Sequence, residues 1–103
     1  MGEQMDDFIT VTVTGKSVAS GAASAGTTIP LDSSGNLPRF IRVAATNPAC
    51  FRMGAGTQTA VITDLQIQPG DSEILHVPQG VTNFAVIQVS VAGIVQVSPL
   101  ENT

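Results

Sequence analysis

Cys50 and His76 are the chain's only thiol and only imidazole, so nucleophilic or metal chemistry would start from them. Cys50 lies in the run from Ala49 to Met53, and His76 stands between Leu75 and Val77. With apolar neighbours on both sides, Cys50 reads as a buried, inert thiol and His76 as a structural or surface imidazole. A thiol–imidazole pair needs hydrogen-bond reach between the two groups, and nothing in their spacing suggests it. A zinc site would need further carboxylate ligands. Asp71 and Glu73 share a face if they lie on a strand, with Asp64 nearby, but they lack the ligand pattern of a calcium loop and read as a solvated turn rim. Gly54-Ala55-Gly56 is not a phosphate cradle, because no Lys-Ser/Thr pair and no helix start follow it. Paired carboxylates for glycoside hydrolysis would lack their usual aromatic platforms, since Trp and Tyr are absent. The expectation is no catalytic residue, no metal, no cofactor and no enzyme activity.

The rest of the composition points to contact rather than reaction. The 103 residues suffice for one domain, 1–103, with a modest core. Charged residues make up 12%, about half the usual share of roughly 25%. A net charge of −4 with only Lys16, Arg39, Arg42 and Arg52 basic argues against nucleic-acid binding. No apolar run nears the ~18 residues of a membrane span, and no signal-peptide pattern opens the chain. A soluble protein made in the cytoplasm, without membrane partners, is expected. The lone cysteine makes no internal disulfide.

Val, Ile, Leu and Ala must build the core, which suits β-structure. Phe8 to Thr14 alternates strictly and predicts a strand, preceded by a flexible arm over 1–7. The Gly/Ala/Ser-rich segment 15–28 reads as a flexible loop. Ile29-Pro30-Leu31 reads as a short edge segment, 32–36 as a turn, and Pro38 to Ala45 with Ala49 to Met53 as a strand pair. A three-residue loop there sets Val43 opposite Phe51, but also Arg42 opposite Arg52. Like charges do not favour that pairing, so either the register differs or an acid or solvent intervenes. Thr59 to Thr63 and Leu65 to Gln68 read as strands, Pro69-Gly70 as a turn, Glu73 to Val77 as a strand and 78–80 as a turn. Short strands at intervals of about ten residues predict an all-β fold, a small jelly-roll-like β-sandwich of antiparallel strands.

The closing segment, 83–100, reads as a hairpin about Val91-Ala92-Gly93. That register pairs Val89 with Val95 and Ile87 with Val97 on one apolar face, with Gly93 in the left-handed position. The opposite face keeps Phe84, Val86, Ile94 and Leu100, which must be covered by a second sheet, by another chain or by local loops. These four residues are the candidate protein–protein interface.

From Leu37-Pro38-Arg39-Phe40-Ile41-Arg42-Val43-Ala44-Ala45-Thr46 onward the chain resembles small structural proteins from the heads of tailed bacteriophages. The likeness runs through Cys50-Phe51-Arg52-Met53-Gly54, Gln68-Pro69-Gly70, Val77-Pro78-Gln79-Gly80 and Val97-Ser98-Pro99-Leu100-Glu101-Asn102. The family includes capsid decoration (cement) proteins and other minor capsid-associated proteins. The resemblance implies a β-sandwich on the capsid surface of the virion, usually a homo-oligomer. A dimer or trimer bound to the major capsid protein is expected here. A head–tail joining or tail-associated component, or a carbohydrate- or receptor-binding module, are the alternatives.

Overall fold

Strands form here where one set of side chains can be buried while the alternate set meets water or a covering loop. A computed structural model describes residues 9–10 and 15–102, with side chains from 15 to 100. Its strands are β1 (Ile9–Thr10), β2 (Lys16–Ser20), β3 (Ala25–Thr28), β4 (Phe40–Ala45), β5 (Ala49–Gly54), β6 (Leu65–Ile67), β7 (Glu73–His76), β8 (Asn83–Gln88) and β9 (Gly93–Asn102). They form two antiparallel sheets and no helix among the described residues. The larger sheet runs β2-β9-β4-β7, with β1 also on β9, and the smaller runs β3-β8-β5-β6.

The pairing is nested. β2 pairs with β9, β3 with β8, β4 with β7 and β5 with β6. One long antiparallel ribbon, with its tip at the β5–β6 connection, is thus wrapped so that alternate segments fall in alternate sheets. This is the jelly-roll form of the β-sandwich. Its core joins Ile41, Val43, Val95 and Val97 of the larger sheet to Phe51, Ile67, Phe84 and Val86 of the smaller. The Phe51 and Phe84 rings stack at 5.5 Å.

Wrapping overturns both expected hairpins. β4 and β5 lie in different sheets, as do β8 and β9, so Val43 does not oppose Phe51 and Val89 does not pair with Val95. Val43 pairs with Val97, and Phe51 with Val86. The Arg42–Arg52 conflict disappears, because the two arginines stand on separate sheets. Gly93 has no positive φ. It is small because a Cβ there would lie 2.7 Å from Thr46 Oγ1.

Segment 15–28, expected as a loop, is mostly β2 and β3. Its small residues serve close approach: a Cβ on Gly26 would lie 2.4 Å from the Phe84 carbonyl oxygen. The expected strand Thr59 to Thr63 is irregular, and 29–31 forms no strand. Turn 32–36 forms as expected: the Ser34 and Asn36 amides donate to Asp32 Oδ1, and Gly35 takes φ 81°. Turns at Gly70 and Gly80 also form, both with positive φ. Of the expected strand Phe8 to Thr14, Ile9–Thr10 is seen on β9. The remainder, like the arm 1–7, lies outside the described residues.

Candidate functional site

The jelly roll separates the reactive residues that the chain possesses. Cys50 sits on β5 in the smaller sheet, and His76 on β7 at an edge of the larger. His76 is exposed and packs edge-on against Phe40 at 5.6 Å. Asp71 lies exposed in the turn before β7, and Glu73 is half-buried on that strand. Among the described residues, no three His, Cys, Asp or Glu side chains gather to hold a metal.

Cys50 has a structural environment instead. It faces outward from the smaller sheet, but segment 55–64 folds across that face and covers it. The Cys50 thiol donates to the Ile62 carbonyl at 3.4 Å, and the Ala60 amide donates to Ser24 Oγ at 2.8 Å. Arg52, on the same face as Cys50, bridges to Asp64 at 3.0 Å, and Asp64 Oδ2 accepts from the Val61 amide at 2.8 Å. The Val61 amide, and then the guanidinium, hold the Asp64 carboxyl below its ordinary range despite some desolvation. Burial, and secondarily the Asp64 charge, push the Cys50 thiol up.

A testable consequence follows for thiol labelling. Native Cys50 is expected to react slowly with a disulfide reagent at pH 8, since the thiolate is disfavoured and covered. Arg52→Ala should raise the labelling rate a few-fold by loosening the cover without unfolding the domain. Because the Asp64 pKa is depressed on folding, its stabilising contribution is complete above its unfolded value of about 3.9. That contribution disappears as pH falls through the lowered value. Labelling at the same rate in both proteins would show that the Arg52–Asp64 bridge does not hold the segment.

The four candidate interface residues divide. Phe84, Val86 and Leu100 are buried within the chain, while Ile94 is 50% exposed. For Phe84 and Val86 the cover is the opposite sheet, one of the solutions that the sequence left open. Ile94 has neighbours that the sequence reading placed in the expected hairpin: Val89 is 43% exposed and Val91 is 56% exposed. They occupy the β8–β9 corner, where three crossings between sheets meet. Gln88 N donates to the Gly21 carbonyl, and Val89 N to the Pro48 carbonyl. Asn47 Nδ2 donates to the Ala92 carbonyl, Ile94 N to Thr46 Oγ1 and Gly93 N to Ser20 Oγ. The corner is therefore held in shape while its apolar side chains stay in water.

No family model, curated protein or solved structure matches this chain. Its chemistry must be read from the surface itself. No charged residue occurs in 17–31, 43–51 or 77–100, runs bounded by Lys16 and Asp32, by Arg42 and Arg52, and by His76 and Glu101. The three corner crossings fall inside these runs, so the exposed valines and Ile94 sit among neutral groups.

Two clefts open among the described residues. One, of about 580 Å³, lies between β3 and the covering segment and is walled by Ser24, Thr27, Thr28, Thr57, Gln58 and Asn83. The Lys16 ammonium donates to Thr28 Oγ1 beside it. The other, of about 410 Å³, opens where β4 starts and β7 ends and includes Arg39 and His76.

Proposed function

We propose that this protein is a structural subunit of a tailed-phage virion, a decoration protein seated on the outside of the head against the major capsid protein. The observation that carries the reading is the β8–β9 corner: exposed Val89, Val91 and Ile94 on a hydrogen-bonded, uncharged frame. A rigid apolar projection loses little conformational freedom on contact, so more of its burial appears as affinity. The phage-head resemblance of residues 37–102 supplies the class of partner. Jelly rolls serve as viral capsid domains, although the fold alone does not assign that role.

The mechanism is mechanical. A subunit that binds only the assembled lattice stabilises that lattice by linkage. A homo-oligomer, dimer or trimer, would add avidity across neighbouring capsid subunits. Incubation with empty mature capsids followed by sedimentation is expected to pellet the protein at micromolar concentration, in many copies per shell. Absence from the pellet would overturn decoration. A few copies at a single vertex would instead indicate the head–tail joining role.

A second reading, a carbohydrate- or receptor-binding module, is favoured by the hydroxyl- and amide-walled cleft beside β3. Such neutral donors and acceptors can pair with sugar hydroxyls. Saturable binding on a glycan array, lost in Gln58→Ala, would favour that module.

A further inference from the structure

We propose that the cleft between Arg39 and His76 is an oxyanion-binding site that takes a carboxylate or phosphate group. It lies at the opposite end of the strands from the β8–β9 corner and stands independently of the decoration reading. The start of β4 is tied to the end of β7 by the Val77 amide, which donates to the Arg39 carbonyl at 2.8 Å. The imidazole is held at one side by its edge contact with Phe40. On the other side, turn 78–81 closes through the Val81 amide and the Pro78 carbonyl at 3.1 Å, with Gly80 at φ 91°. Pro38 and Pro78 stiffen both walls, since each fixes its own φ. The cleft is thus formed by ordered elements rather than by loose side chains.

Its charge points to the ligand. Among the described residues the lining has no Asp or Glu, and it includes one of the chain's four basic residues together with the only histidine. The protein carries a net charge of −4, yet among the described residues the ion pair is Arg52–Asp64, and the Arg39 guanidinium joins none there. A guanidinium offers a planar fork of donors suited to the paired oxygens of a carboxylate or phosphate. The imidazole adds a second donor. A volume of about 410 Å³ accommodates such a group with a small organic body attached.

The test is an NMR titration of the full chain with sodium phosphate and, separately, sodium acetate. Sodium chloride at matched ionic strength is the reference. Saturable shifts of the His76 ring and the Gly80 amide are expected with at least one oxyanion. Whichever ion saturates the site identifies the phosphate or carboxylate source. Arg39→Gln should weaken binding about tenfold, the usual effect of losing a charge-assisted contact. Arg42→Gln removes the same charge outside the cleft and should leave binding unchanged. Shifts that do not saturate, that chloride reproduces, or that both variants lose equally would overturn the site.

Discussion

Phe84→Ala is expected to lower the free energy of unfolding by about 3–5 kcal/mol, the largest effect of any single substitution argued for this chain. Phe84 is fully buried, and its ring stacks on Phe51 across the β5–β8 pair. With four phenylalanines and no Tyr or Trp, the chain has no spare aromatic volume to refill the hole. A domain of this size is stable by roughly 5–15 kcal/mol, so the loss removes a large part of the total. The melting temperature should fall by roughly 12–40 °C, at about 4–8 °C per kcal/mol. Phe84→Leu fills most of the cavity and should recover much of that loss. Chemical denaturation of the three proteins checks both statements. A loss under 1 kcal/mol in Phe84→Ala would mean that the stacked pair is not the centre of the core.

The placement of Phe84 also shows what was legible in the sequence. The alternation of Ile41 and Val43 with Arg42 gave the inner face of β4, and Gly35, Gly70 and Gly80 marked turns that form. The difficulty with Arg42 opposite Arg52 was a sound signal that the local hairpin was strained. Partners could not be read in the same way, because nested wrapping joins residues far apart, such as Val18 with Val95 and Ala25 with Val86. Local turn chemistry describes only neighbouring strands. Segment 15–28 misled for a different reason. Gly and Ala are common in mobile loops, but here Gly15 admits the backbone of β9 and Gly26 that of β8. Thr59 to Thr63 reads as a strand by its β-branched residues, yet its amides turn to side chains: Ala60 to Ser24 and Val61 to Asp64. The exposed apolar corner was half-legible. The sequence placed Ile94 on an outer strand face, whereas Val89 and Val91 could be recognised as exposed only once the two strands were assigned to different sheets.

That division sets up the functional experiment of largest effect. Combining Val91→Asp with Ile94→Thr should reduce capsid binding at least about a hundredfold, close to 2.7 kcal/mol. The aspartate would bring an unpaired carboxylate into a contact built from apolar groups, and desolvating it is costly. Threonine at 94 keeps the β-branched shape that suits β9 while replacing a methylene-rich surface with a hydroxyl. Neither residue belongs to the core, and exposures of 56% and 50% leave little packing to lose. Stability should therefore change by no more than about 1 kcal/mol, within the range of exposed strand substitutions. Phe84→Leu supplies the reverse control, because it alters the core and leaves the corner surface intact. Sedimentation with empty capsids and thermal melts, run on the same preparations, separate a lost contact from a lost fold. Retained binding in the folded double variant would move the contact away from the corner, and the apolar side chains there would need another explanation.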